Sequence, residues 1–273
     1  MLHKRIRALI ADDSSIARDV VKSGLELHKD KRYIEVTIVK NGVEALSAFN
    51  KQPIDIAFVD IHMPGLDGPS VVTALRDSPS ENCLIVAMSA NLDQNSEAVL
   101  RKYNAYHFLK KPFRFEQVAN VVMTYIVMTN IYRILIVDDS ATMRKMARRV
   151  LEGSLFNFDV VEAGSAEEAI TAIKTGKYCL VLTDFQMPDV DGLELAGKIN
   201  ALSSKIAIYM MSTTQTTYLE RSAAFIGVSG FLKKPFTPRD IDTLMHKYLG
   251  LDEPSFGKVR EMFSYLKKEK GSN

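Results

Sequence analysis

Twice in this chain an apolar run ends in paired aspartates. Ala8-Leu9-Ile10-Ala11 leads into Asp12-Asp13, and Ile134-Leu135-Ile136-Val137 leads into Asp138-Asp139. Further on, "VDIHMPGLDG" (59–68) and "TDFQMPDVDG" (183–192) each place one aspartate, Asp60 or Asp184, at the end of another such run. Ser89 and Ser212 close later apolar runs, and Lys111 and Lys234 each precede a proline in the repeated "FLKKPF". Three carboxylates brought together repel by roughly a few kcal/mol per pair. Such a cluster persists by raising a pKa or by binding a cation. Hard oxygen ligands with room for water favour Mg²⁺, or Mn²⁺ in its place. A cation, an ammonium and a hydroxyl around one carboxylate are also what phosphoryl transfer to that carboxylate needs, because the incoming charge must be neutralised.

These residues meet only if the apolar runs lie side by side. The first half reads as strands near 6–11, 34–39, 54–60, 84–89 and 106–110. The second half repeats the pattern near 132–138, 158–162, 178–184, 206–212 and 229–233. Its helical patterns fall near 141–151, 165–175, 191–199, 216–226 and 237–249. Runs such as "IAFV" and "LVLT" are apolar throughout, as when helices cover both faces of a parallel sheet. Alternating strand and helix predicts a doubly wound α/β fold with a parallel five-stranded sheet in each half, ligands sitting beyond the carboxyl ends of the strands.

A repeat of this length is a duplicated domain. With 273 residues the expected division is 1–129, 130–250 and a tail at 251–273. The 47 % hydrophobic content supports packed cores, and the net charge of +2 argues against a nucleic-acid partner. Within "RKMARR" (144–149) the plain reading is an exposed basic helix face. Cys83 and Cys179, one per half, read as buried reduced thiols. The longest apolar run, 118–128, falls short of the roughly 20 residues of a membrane span, and the N-terminus lacks a signal-peptide pattern. A cytoplasmic protein without membrane attachment is the expectation.

In order and spacing, the acidic pair, the Asp-x-x-Met-Pro-x-x-Asp-Gly loop, the hydroxyl residue and Lys-Pro resemble the receiver domain of response regulators, over about 4–128 and again over 131–250. "ILIVDDSATMRKMARRVL" is similar to stand-alone chemotaxis receivers in particular. The resemblance implies two tandem flavodoxin-like receivers, with Asp60 and Asp184 as phosphorylated nucleophiles. It implies one Mg²⁺ per domain, held by Asp13 and Asp139, with Asp12 and Asp138 assisting and the backbone carbonyls of His62 and Gln186 completing the shell. Lys111 and Lys234 would pair with the phosphoryl group, Ser89 and Ser212 would donate hydroxyls to it, and Phe108 and Phe231 would be the switch aromatics. The implied partners are a histidine kinase or phosphotransfer protein and a downstream protein target. Enzymatic activity would extend no further than self-phosphorylation and autodephosphorylation.

Two departures from the family pattern carry expectations, and two further residue patterns add their own. Thr213 follows Ser212 where the family usually has Ala or Gly, as Ala90 does in the first copy; this implies a narrowed approach to Asp184 and slower reaction there. His107 stands where glycine is commoner, implying a different local backbone. His62 reads as an exposed loop residue that modulates hydrolysis. Residues 115–128 form a helix apolar on nearly every face, which predicts burial all round, against the second copy or in a homodimer. In the tail, Phe256, Val259, Phe263 and Leu266 recur at helical spacing, predicting a short amphipathic helix docked on the second domain. The tail is too short for an output domain. Two alternatives remain at this stage: a receiver-fold module that binds a second-messenger nucleotide without being phosphorylated, and a truncated regulator.

Overall fold

The computed structural model describes residues 5–28, 33–76, 78, 83–188, 190–213 and 223–256. These form two compact units. The first runs to Val127 and also takes in the segment from Asp252; the second spans Met128–Leu251.

In the first unit the elements are β1 (Ile6–Ala11), α1 (Ser15–Glu26), β2 (Ile34–Val39), α2 (Gly42–Lys51) and β3 (Ile56–Asp60). They continue through α3 (Gly68–Leu75), β4 (Leu84–Ser89), α4 (Gln94–Lys102), β5 (His107–Lys110) and α5 (Phe115–Met128). The strands are all parallel, in the order β2-β1-β3-β4-β5. This is a doubly wound arrangement whose strand order reverses beside β1 and β3. The apolar strands are buried for the reason their composition suggests: β3 and β4 are buried at every position, between helices on the two faces. Leu9, Ala57, Ile85, Val71, Val72 and Leu100 belong to one core cluster. Each fully buried Leu, Ile or Phe contributes about 1.5–3 kcal/mol. Gly24 lets α1 approach α5 closely, since a Cβ there would lie 2.6 Å from the Val118 Cβ.

The second unit repeats the scheme with β6 (Ile131–Val137), α6 (Ala141–Glu152), β7 (Asn157–Ala163), α7 (Ala166–Thr175) and β8 (Leu180–Asp184). There follow α8 (Gly192–Leu202), β9 (Ala207–Ser212), β10 (Gly230–Lys233) and α9 (Pro238–Leu249). Its sheet order, β7-β6-β8-β9-β10, is the same topology and again parallel. The helix expected at 216–226 and the amphipathic helix expected after Phe256 lie largely outside the described residues. No described helix is long and apolar enough to cross a membrane. Cys83 is buried as expected; Cys179 is only half-buried, because it lies just ahead of β8 rather than within it.

Side-chain caps start the helices nearest the carboxyl ends of the strands. The Ser14 and Ser140 hydroxyls accept from the amides of Ala17 and Met143, and the Asp67 and Asp191 carboxylates accept from those of Ser70 and Glu194. Such caps are worth about 1 kcal/mol each. Within the described part of the tail, one residue departs from its expected place. Phe256 is buried in the core cluster of the first unit, beside Leu100 and Phe108, rather than on the second.

Candidate metal and acceptor sites

In the first unit, β1, β3 and β5 bring their carboxyl ends together because they are parallel and in register. Asp12 and Asp60 are buried while Asp13 is exposed, and one carboxylate oxygen from each lies within 4.8 Å of the others. Lys111 reaches into this group. Its Nζ is 2.7 Å from Asp12 Oδ2 and 2.8 Å from Asp60 Oδ2. Burial raises the Asp12 pKa, the charge on Asp60 raises it further, and hydrogen bonds from Lys111 and the Ser14 amide oppose both. Burial works to lower the Lys111 pKa, but the Asp12 and Asp60 carboxylates outweigh it and hold the ammonium above its ordinary range. Lysine is therefore charged throughout the physiological range and serves as a compact positive point between two carboxylates.

The second unit repeats the geometry in a looser form. Asp138 is buried, Asp139 exposed and Asp184 half-buried, again with ligand oxygens within 4.8 Å. Lys234 Nζ is 2.8 Å from Asp138 Oδ2 and 3.1 Å from Asp184 Oδ1. In both units the lysine amide donates to the carbonyl of the strand-end serine at 2.8 Å, Lys111 to Ser89 and Lys234 to Ser212. The peptide bonds following the two lysines are cis.

The donor set fits a hard divalent cation. Three carboxylate oxygens converge in each unit, one side of the group is open through Asp13 or Asp139, and the buried Asp12 Oδ2 meets only the Lys111 ammonium among the described residues. His62 is exposed, as expected, and its amide donates to Asp60 Oδ1 at 3.3 Å. Gln186 is exposed in the equivalent loop. Ser89 is buried and its Oγ accepts from the Asn91 amide; Ser212 is buried in the same place. Phe108 and Phe231 are half-buried on β5 and β10 against the core of each unit.

The Asp-Gly repeat acquires a steric meaning here. Gly68 and Gly192 donate their amides to the carbonyls of Ile61 and Phe185 at 3.0 and 2.9 Å. A Cβ at either glycine would collide with the carbonyl oxygen of the preceding strand-end aspartate, Asp60 or Asp184. The aspartate caps the helix and the glycine lets that helix start against the site.

Two expectations from the departures do not hold. The approach to Asp184 is not narrowed by Thr213: Thr213 is itself exposed, and 17 % of the Asp184 side chain is accessible against 6 % for Asp60. His107 does not alter the backbone, because it lies within β5 opposite Val86, just as Gly230 lies in β10 opposite Tyr209. Only the side chain differs.

Sequence reasoning missed the arginines that hold the acidic loops. Arg18 Nη1 donates to the carbonyl oxygens of Asp12 and Asp13, both at 2.8 Å. Arg144 Nη1 donates to those of Asp138 and Asp139 at 2.7 and 3.3 Å. Arg144 and Arg148 also pair with Glu162, and their proximity lowers the Glu162 pKa. Two of the four basic residues in the run are thus engaged by their own unit, while Lys145 and Arg149 are exposed as expected. The recoverable signal was an arginine six residues after the first aspartate in both copies.

Comparison with known proteins bears on the same residues. The family model described as "Response regulator receiver domain" matches residues 8–123 and 134–246. The chain is 32 % identical over 124 residues to the cyclic di-GMP phosphodiesterase response regulator RpfG of Xanthomonas campestris pv. campestris, covering 45 % of this chain and 33 % of that protein. It is 32 % identical over 117 residues to the chemotaxis protein CheY-3 of Vibrio cholerae, covering 42 % of this chain and 89 % of that protein. Against RpfG and ResD of Bacillus subtilis the chain spans about a third and about half of the relative's length. A solved structure described as a probable two-component system response regulator/GGDEF domain protein matches the fold with a TM-score of 0.58 at 22 % identity, over 90 % of this chain and 98 % of that one.

Proposed function

Because the chain belongs to the response regulator receiver family in both of its halves, we propose that it accepts phosphoryl groups on Asp60 and Asp184 from a histidine kinase or phosphotransfer protein. The observation that carries this reading is the shared ammonium. In each unit one lysine bridges the acceptor aspartate and a buried carboxylate whose ligand oxygens lie within 4.8 Å.

In the reaction, a carboxylate oxygen of Asp60 forms a bond to phosphorus as the bond to the donor imidazole nitrogen breaks. Asp12, Asp13 and Asp60 would hold Mg²⁺ in the first unit, and Asp138, Asp139 and Asp184 in the second. The bound cation supplies neutralisation of charge on the transferring group. Lys111 or Lys234 follows the charge as it moves onto the phosphoryl oxygens, keeping its contact with the buried aspartate. Ser89 or Ser212, one strand away, would orient a phosphoryl oxygen. Arg18 and Arg144 fix the carbonyls of the acidic loop, so that its carboxylates need not reorganise during transfer. The acyl phosphate then signals through protein contacts and is discharged by water.

The test is Mg²⁺-dependent binding of beryllium fluoride, a phosphoryl mimic. Two equivalents should bind the wild-type chain, one each Asp60→Ala and Asp184→Ala, and none the double variant. Undiminished binding by the double variant would remove the assignment.

A further inference from the structure

β5 is the edge strand of the first sheet, and an edge strand presents amides and carbonyls that another strand or peptide can use. Here the chain itself uses them. The Phe256 amide donates to the Tyr106 carbonyl at 3.4 Å, and the Phe108 amide donates to Ser255 Oγ at 3.3 Å. Ser255 Oγ lies 2.9 Å from His107 Nδ1. The Phe256 ring is buried, packs edge-on to Phe108 with centroids 6.5 Å apart, and lies under the Arg101 guanidinium at 5.4 Å.

The second unit offers a built-in comparison. Matching backbone bonds, Ala105 to Leu100 and Val228 to Ala223, align the two copies through this region. Arg101, Tyr106 and His107 then correspond to Ala224, Ser229 and Gly230. The second copy has the same edge backbone in β10, and Phe231 in place of Phe108, but neither the cation nor the imidazole. The first copy therefore carries a recognition surface that the fold alone does not require.

We infer that the β5 edge of the first unit is a peptide-docking site that recognises an extended Ser-Phe segment, and that its occupant is Pro254-Ser255-Phe256 of this same chain. Recognition divides into three parts. The edge backbone supplies register, His107 and the Phe108 amide read the hydroxyl, and the pocket between Arg101 and Phe108 takes the ring. This is strand-edge recognition with one aromatic anchor. Burial keeps His107 neutral, which leaves Nδ1 free to accept the Ser255 hydroxyl proton while Oγ accepts from the amide. So small a contact is displaceable, and tethering supplies the effective concentration, on the order of millimolar, that keeps the site filled.

The experiment uses the full chain and a labelled peptide Leu-Asp-Glu-Pro-Ser-Phe-Gly. Phe256→Ala vacates the pocket, so the peptide should bind that variant at least about tenfold more tightly than it binds wild type, whose own segment competes. Adding Arg101→Ala, or replacing the peptide phenylalanine by alanine, should abolish binding. Ser255→Ala, at an exposed position, should speed hydrogen exchange of the Phe108 amide severalfold without slowing or speeding that of Met88 in β4. Equal peptide binding by wild type and Phe256→Ala, absence of binding to a cooperatively folded Phe256→Ala at up to about 1 mM, or unchanged Phe108 exchange in Ser255→Ala would each overturn the inference. None of these readouts involves Asp60 or Asp184, so the outcome is independent of the phosphorylation reading.

Discussion

Asp60 and Asp184 occupy equivalent strand ends, yet the side chain of Asp184 is nearly three times as accessible, 17 % against 6 %. The two lysine contacts differ in the same sense, 3.1 Å to Asp184 and 2.8 Å to Asp60. A small phosphoryl donor reaches an open carboxylate more readily. Phosphoramidate should therefore label Asp184 in the Asp60→Ala chain faster than Asp60 in the Asp184→Ala chain, and water should discharge Asp184 faster too. Time courses by intact-mass spectrometry check this; equal or reversed rates would show that accessibility is not the governing term.

Lys111→Met removes the one cation between two buried carboxylates. Breaking a buried ion pair from one side costs about 3–5 kcal/mol, and partial exposure of Lys111 reduces this to about 2–3. A divalent cation takes the same place electrostatically. Chemical denaturation followed by circular dichroism should show the loss without Mg²⁺ and recovery of part of it with Mg²⁺ in the millimolar range, on the order set by the site's affinity.

Gly68→Ala forces a methyl group against the Asp60 carbonyl oxygen. Neither backbone element can move without disturbing the site, so the expected cost is about 1–3 kcal/mol, the range for overpacking. Gly192→Ala should behave alike in the second unit. In each variant, Mg²⁺ binding should weaken at the substituted site and persist at the other, as titration calorimetry would read.

Arg18→Ala removes two hydrogen bonds from a charged donor to the acidic-loop carbonyls. Charge-assisted bonds are worth about 1.5–3 kcal/mol each where buried, and less at this half-open position. The prediction is weakened Mg²⁺ affinity at the first site with the fold retained, and Arg18→Lys should restore only part of it, because its nitrogen sits one bond nearer the backbone than the Nη1 that donates to both carbonyls. Full rescue by lysine would reduce the residue to a charge effect.

His107 gives the docked segment a pH dependence. Burial lowers its pKa below 6.5, and the charge of Asp252 works against that lowering. In the docked state Nδ1 can accept the Ser255 hydroxyl proton only while the ring is neutral there, so docking favours the neutral imidazole and binds fewer protons than the undocked state. The contribution is complete above the ordinary histidine pKa and is lost as pH falls through the lowered value. Intrinsic-rate-corrected hydrogen exchange of the Phe108 amide should quicken on acidification from pH 7 to about 5.5, and His107→Gln should flatten that profile.

The fold and most of the site were present in the order of residues. Apolar runs without alternation, such as "IAFV", mark strands covered on both faces, and burial of all of β3 and β4 bears that reading out. In a parallel sheet such runs carry their terminal residues to one rim, so Asp12, Asp60 and Lys111 meet as a consequence of topology. What the chain order left unstated is everything decided by contacts between distant residues whose local pattern carries no mark. The Arg18 and Arg144 clamps are aimed at backbone carbonyls, which every residue possesses. The unequal exposure of Asp60 and Asp184 depends on what surrounds them, although their loops read almost alike. Phe256 belonged by periodicity to a tail helix, yet it closes a loop of 147 residues onto Phe108 through Ser255. Local periodicity reports which face of an element is apolar; only the folded chain decides which distant surface that face will cover.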